Sequence, residues 1–244
     1  MKTIKIILFT AAFLIGINTN AQFNPISFGI KGGMNLSTYA GDLDGTKSKV
    51  GFHAGLTMDI NLPSNFYIGS GLEFTTKGFK DYELFKSGNV KATLDGSGNA
   101  MYLQIPVHLG YKIDVAPSTK IVFHAGPYFA YGIGGKMQFD KVTLKEGSNS
   151  VTIGFNELFD MLEEAGYEID GEITQSDIDE LSKKHDTFGD DGMKRFDVGI
   201  GVGAGVEIWK FTAGIGYDFG LSDIGREGIK VNNRNGYISV GYKF

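Results

Sequence analysis

The chain has 244 residues, 42% of them hydrophobic, with 23 lysines and arginines against 28 aspartates and glutamates and no cysteine. The lack of cysteine excludes disulfides, thiolate catalysis, thiol-ligated metals and a lipid-modified N-terminal cysteine. The acidic balance argues against nucleic acid as a partner.

The first 21 residues read as a secretory signal peptide. Lys2 and Lys5 precede an apolar run from Ile6 to Ile17, and small polar residues end at Ala21. That run is too short to span a bilayer, and a small residue sits at the expected cut before Gln22. Removing the two lysines from the 23 basic residues leaves 21 against 28 acidic ones, a charge of −7 on residues 22–244. These residues are expected to form one exported domain. None of its stretches approaches the roughly 18 apolar residues of a membrane helix.

Eight runs follow one rule, in chain order 28–36, 51–60, 66–75, 102–113, 121–132, 195–208, 211–221 and 236–244. In each, apolar and polar or small residues alternate with the period of an extended strand. In the fourth, Leu103, Ile105, Val107, Leu109, Tyr111 and Ile113 share one face, and Tyr102, Gln104, Pro106, His108, Gly110 and Lys112 share the other. A soluble sandwich hides the apolar face and a membrane barrel displays it, so the polar face has to decide. It carries many of the 36 glycines, together with Lys31, His53, Asp59, Glu73, His108, Lys112, His124, Asp197, Glu207, Asp218 and Lys243. On a solvent face glycine only weakens a strand, whereas inside a narrow barrel it makes room for the large side chains opposite. The glycine face is therefore read as a lumen and these eleven residues as its polar network.

The joins alternate in length. Those at 61–65, 114–119 and 209–210 are short, and those at 37–50, 76–101, 133–194 and 222–235 are long. Short periplasmic turns opposite long outer loops are a mark of outer-membrane barrels. Phe66, Tyr111, Trp209 and Phe244 fall near the short-turn end, where an aromatic girdle meets the headgroups. The reading is an all-β, eight-stranded, antiparallel up-and-down transmembrane barrel, a monomer in the outer membrane of a Gram-negative bacterium. A soluble lipocalin-like barrel with a ligand cavity is the alternative fold.

The segments "FGIKGGMNLS", "YLQIPVHLGYK", "GPYFAYGIGGK", "KRFDVGIGVGAGVE" and "GYKF" together resemble the PorT-like outer-membrane β-barrel family. The resemblance implies a barrel inserted by the outer-membrane assembly machinery, for which the final aromatic would be the recognition signal, and founding members associated with protein secretion. It carries no catalytic motif.

Candidate sites follow from turn arithmetic. A turn centred near Ala116 pairs His108 with His124, and one centred on Pro63 pairs His53 with Glu73. Two histidines without a third ligand make a weak metal site, so no metal or other cofactor is assigned. His53 and Glu73 would suit a lipid-modifying enzyme of the outer leaflet, but only Ser70 is near them and it points to lipid. No catalytic residues are assigned, and eight strands leave no room for an aqueous pore. The insert 134–194, between the fifth and sixth runs, has helical spacing at 154–166 and 174–185 around a turn at Asp170-Gly171. It resembles an EF-hand only loosely, since Gly166 stands where the first aspartate belongs and Asp177 where the bidentate glutamate belongs. The insert is expected to be a partly helical cap, either solvated or docking an envelope protein, on a barrel that contacts outer-membrane lipid and whose role is structural or interaction-based.

Overall fold

A computed structural model describes residues 25–244 apart from 44, 156, 158, 159, 161–182, 191 and 227. The signal peptide, the turn at Asp170-Gly171 and most of the two segments expected to be helical lie outside the described residues. Ten strands are described: β1 (Ile26–Gly41), β2 (Thr46–Asn61), β3 (Phe66–Ser87), β4 (Val90–Ala116), β5 (Thr119–Glu146), β6 (Asn149–Gly154), β7 (His185–Asp186), β8 (Phe196–Ile208), β9 (Phe211–Gly220) and β10 (Val231–Lys243). Eight of them close a ring in the order β1-β2-β3-β4-β5-β8-β9-β10, and β6 and β7 pair with β5 outside it. Antiparallel pairing of β1 with β10, from Gly29 opposite Lys243 to Gly41 opposite Val231, closes the ring. Among the described residues no helix is long and apolar enough to cross a membrane, which says nothing of strands.

Side chains alternate about this wall. Phe52, Leu56, Leu109, Phe123, Val202, Ile215 and Ile238 are exposed on the outside, while Glu73, Gln104, Asp197, Asp218 and Asn235 are buried inside. From Leu103 to Val115 every second residue of β4 is an outward apolar one, a stretch of about 40 Å along the strand that a tilt near 45° reduces to roughly 28 Å. That matches a bilayer's hydrocarbon core. The short turns lie at one end, where Trp209 takes a φ of 55° and is 79% exposed. Around them stand Phe66 against Tyr111, with ring centroids 4.9 Å apart, and Phe211 against Tyr242 at 5.3 Å, with Phe244 beside Tyr242.

At the opposite end the joins differ from expectation. The segment 76–101 is not a loop: β3 and β4 continue as a hairpin that turns only at 88–89. Likewise β5 runs through the first part of the insert to Glu146 and turns back as β6, and the joins at 37–50 and 222–235 shorten to 42–45 and 221–230. Of the expected helices, Phe155, Glu157 and Asp160 have helical backbone, whereas His185, at the end of the second, lies in β7.

The alternation fades in these extensions because their environment changes. Ile133 is an extra residue in β5, since Gly132 faces Tyr102 while Gly134 faces Met101. Beyond it the interior becomes apolar. Tyr39, Phe79, Ala100, Tyr102, Phe188, Met193, Ile224 and Val231 form one buried cluster, with Met137 and Phe139 packed on it, while Lys80 and Lys136 are exposed. The inside has turned from polar to apolar, while the outer face is mixed: Leu84, Leu144 and Val151 are exposed on it beside the lysines.

The connection 221–230 lies over this cluster and is held by Asp223. Its carboxylate accepts from Val231 N at 3.0 Å, Gly225 N at 2.9 Å and Lys194 Nζ at 3.2 Å. The hydrogen bond from Val231 first, then those from Gly225 and Lys194, hold the carboxyl below the usual carboxylate range. A depressed folded-state pKa means that this anchoring is complete above the ordinary aspartate value and is lost as pH falls through Asp223's own lower one. Amide exchange at Gly225 and Val231 is expected to speed up in that acid window, and Asp223→Ala to bring the faster exchange to neutral pH.

Within the wall, lumen glycines act as pads for rings. Tyr67 lies where a side chain on Gly110 would be, and Tyr237 where one on Gly216 would be. Gly216→Val is expected to cost about 1–3 kcal/mol by overpacking, read as a lower urea midpoint for the detergent-folded barrel. Ala213→Val, on the outward face, is expected to leave it nearly unchanged.

Candidate functional site

The lumen is built in three charged tiers, because inward-facing residues recur every second position on all eight ring strands. At the short-turn end, Lys112 Nζ lies 3.2 Å from Asp59 and 3.3 Å from Glu207 and donates to Asn61 Oδ1 at 3.3 Å. Lys243 Nζ lies 2.6 Å from Asp59 and also binds Glu207. The Lys112 ammonium sits 4.5 Å above the Tyr67 ring, a cation–π contact.

The middle tier holds three of the four histidines. Lys31 Nζ lies 2.7 Å from Glu73 Oε1. His53 Nδ1 meets Asn35 Oδ1 at 2.8 Å, and Asn35 Nδ2 donates to Thr75 Oγ1 and the carbonyls of Phe52 and Thr76. The His108 and His124 rings stack 5.0 Å apart at 9°, and His124 Nε2 lies 3.4 Å from Tyr237 Oη. Gln104 Nε2 and Asn235 Nδ2 each reach Asp218 Oδ2 at 3.4 Å.

The third tier is a Lys77–Asp197 pair at 3.3 Å whose side chains are wholly buried. Asp197 also accepts from Tyr128 Oη at 3.1 Å, Asn233 Nδ2 at 2.9 Å and Ser222 Oγ at 2.9 Å. The Lys77 ammonium lies 4.3 Å over the Tyr128 ring. So many partners are needed because a buried carboxylate is stable only when its charge and lone pairs are answered.

Cavities narrow from the short-turn end. A mouth of about 350 Å³ is lined by Ser27, Asn65, Lys112, Lys120 and Lys243. A chamber of about 140 Å³ follows, among Thr57, Asp59, Tyr67, His124, Tyr237 and Ser239. The last, about 10 Å³, lies among His53, Gln104, His108, Asp218 and Asn235. Above it stand the Lys77–Asp197 tier and the apolar cluster over the outer mouth.

All eleven residues expected on the lumen face stand inside the ring, but two of the expected pairings are displaced. The β4–β5 turn is centred one residue later, so His124 faces Gly110 and not His108, and the two histidines meet diagonally. The β2–β3 turn is displaced the same way: His53 faces Thr75, while Glu73 faces Gly55 and takes Lys31 as its partner. In both cases an asymmetric turn, with positive φ at Asn65 or Ser118, moves the centre of the hairpin. Ser70 donates to Pro106 O at 2.9 Å and does not approach His53. Among the described residues no three of His, Asp or Glu converge as a divalent metal would require.

Several lumen residues stand outside the eleven expected ones. Gln104 and Tyr237 lie on the polar faces already read from alternation, but as uncharged residues they were not counted in the polar network. Lys77, Asn233 and Asn235 lie just past the ends of those runs, where alternation had faded.

Lys77→Met leaves Asp197 buried without its cation and is expected to destabilise the barrel by about 3–5 kcal/mol. Adding Asp197→Asn should recover much of the loss, and equilibrium unfolding in detergent checks both.

A family model described as outer membrane protein beta-barrel domain matches residues 20–226. No curated protein matches the chain. Among solved structures, it is similar to neisserial surface protein A, NspA, at 13% identity and a TM-score of 0.39, over 91% of this chain and 100% of that one. It is also similar to Ail, the attachment invasion locus protein of Yersinia pestis, solved with the heparin analogue sucrose octasulfate. That identity is 14% and the TM-score 0.40, over 91% of this chain and 100% of that one.

Proposed function

Since the chain belongs to the outer membrane protein beta-barrel domain family, we propose that it is a non-conducting, non-enzymatic barrel that displays its outer hairpins to an envelope protein. The observation that carries this reading is the contrast between its two halves. Paired charges fill the lumen, and an apolar cluster covers the outer mouth, so the interior offers no continuous path. The strands β3, β4 and β5 meanwhile continue far beyond the apolar wall and end in a paired sheet. A sheet of that length adds nothing to anchoring in lipid, and its exposed face is a surface for contact. The PorT-like resemblance supports an association with secretion. The insert 134–194 contributes β6 and β7 to the same outer region.

Photo-crosslinking residues placed at Lys80 and Lys145 are expected to capture an envelope protein in isolated outer membranes, whereas one placed at Leu56 on the wall captures lipid. The same protein in planar bilayers is expected to show no stable conductance, and its band in unboiled detergent to migrate as a compact barrel. Protein-free crosslinks at both hairpins, or steady channel steps, would count against the reading.

A further inference from the structure

The sheet that β3, β4, β5 and β6 form beyond the wall has two edges, and they are built differently. A sheet edge offers unpaired N–H and C=O groups to any extended chain, and proteins blunt it with charges, prolines or bulges. The β3 edge is blunted. Lys80, Asp81 and Glu83 stand along it, its pairing with β4 shifts register between Lys80 and Tyr82 and again between Glu83 and Phe85, and Asp81 takes a φ of 38°. The β6 edge has none of these devices. Its six residues, Asn149–Gly154, include no charge and no proline, and its pairing with β5 runs without a shift from Glu146 opposite Asn149 to Lys141 opposite Gly154. Among the described residues β6 pairs with β5 alone.

The turn decides which groups this edge offers. Gly147 and Ser148 make a two-residue turn, with Gly147 at a φ of 59°, so the closing pair of Glu146 and Asn149 exchanges main-chain hydrogen bonds. Alternation then directs the N–H and C=O of Asn149, Val151 and Ile153 to β5, and those of Ser150, Thr152 and Gly154 away from it. The 2.8 Å contact between the Thr143 and Thr152 hydroxyls agrees, since side chains approach most closely at pairs that exchange no such bonds. Ser150 and Thr152 are exposed and Gly154 is half-buried, so the row lies open.

The side chains beside the edge state what strand it takes. On one face of the sheet Lys145 stands opposite Ser150 and Lys141 opposite Gly154, so only small residues separate two exposed lysines from the edge. On β4, Lys91 faces Lys145 and binds Glu83, while Asp95 faces Lys141 and accepts from the Thr143 hydroxyl. Neither Lys141 nor Lys145 forms an ion pair among the described residues. On the other face Leu144 and Val151 stand opposite each other, both exposed. A second copy in the same membrane suits this edge poorly, because a two-fold axis along the membrane normal would bring the two β6 strands together in parallel and set lysines against lysines. We propose that β6 is a strand-addition site for an envelope protein, taking an extended segment in which acidic residues alternate with apolar ones. The proposal rests on the reading of the outer sheet as a contact surface. The added main chain fills the row at Ser150, Thr152 and Gly154, and its apolar residues cover Leu144 and Val151. Its acidic residues stand two strand spacings, about 10 Å, from Lys141 and Lys145, within the joint reach of a lysine and a glutamate.

The test is amide hydrogen exchange of the full-length, detergent-folded protein with a synthetic eight-residue peptide that alternates glutamate with valine. At ten times Kd the peptide is expected to slow exchange at Ser150, Thr152 and Gly154 about 10-fold and to leave the β3 edge unchanged. Thr152→Pro removes a donor of the free edge and none of the bonds to β5, and is expected to weaken the peptide about 10-fold. Lys145→Glu keeps the edge and reverses one charge, with an expected loss of about 3-fold, and it carries the comparison if Thr152→Pro unfolds β6. No protection by the peptide would overturn the proposal, and so would equal protection by a peptide alternating lysine with valine. Residues 167–174 of this chain, YEIDGEIT, also alternate acidic with apolar residues and are the competing occupant. Slow exchange at Ser150 and Thr152 before any peptide is added would mean that the chain fills its own edge, and would likewise overturn it. In isolated outer membranes, Thr152→Pro is expected to abolish capture of an envelope protein at Lys145 and to spare capture at Lys80. Capture at both sites that survives Thr152→Pro would overturn strand addition and leave the outer hairpins standing as a contact surface.

Discussion

The structure depends on one constraint: in hydrocarbon every backbone N–H and C=O has to find a partner within the chain. A sheet meets it only by closing, and here the closure is the pairing of β1 with β10, which joins the two ends of the barrel sequence. Closure with eight strands fixes a lumen too narrow for bulk water, so its inward side chains must satisfy one another. The lysines and carboxylates of the three tiers, and the glycines under Tyr67 and Tyr237, are two consequences of this same geometry. The charges need partners across the ring, and the rings between them need floor space.

A wholly apolar lumen would fill the same volume, so the polar interior calls for its own explanation. Strand period is two, and a slip of one residue would exchange the wall's faces. With charges on one face and isoleucine, leucine and phenylalanine on the other, such a slip would place Lys77 or Asp197 in lipid, at a cost no packing could offset. The polar lumen thus fixes register as well as filling space. It also explains why the tiers are nearly neutral, since a surplus of either sign would repel itself in a medium that screens poorly. Asp218 is the exception among the described residues: it forms no ion pair and accepts instead from the amide nitrogens of Gln104 and Asn235.

The sequence revealed the part of the fold on which lipid acts. Alternation in 102–113 and 195–208 marked both the strands and their inner face, because lipid outside and a small lumen inside impose opposite chemistry on neighbouring residues. It did not reveal pairing at the level of single contacts. His108 and His124 were legible as neighbours, yet their diagonal meeting depends on a turn whose residues take positive φ, and Pro117-Ser118 carries no glycine to announce it. The extensions of β3, β4 and β5 were illegible for a different reason. Beyond Thr75 the inner face turns from Lys77 to Phe79, so the chain passes from one alternation rule to its inverse and reads as irregular at the crossing.

That inversion divides the labour of the molecule. In the wall, outward residues answer only to lipid, so any apolar side chain serves and specificity has to come from the lumen. Above it, the apolar cluster of Tyr39, Phe79, Phe188 and Ile224 holds the sheet together from within, as in a soluble domain. The outward residues there carry a lighter structural task, such as the exposed ion pair of Lys136 with Asp186. Lys80 and Lys136 can be replaced without disturbing either the cluster or the ring, which leaves that surface free to be shaped by whatever it touches. The charged tiers thus hold the wall from inside the ring and the apolar cluster holds the sheet beyond it, two interiors of opposite chemistry on the same three strands.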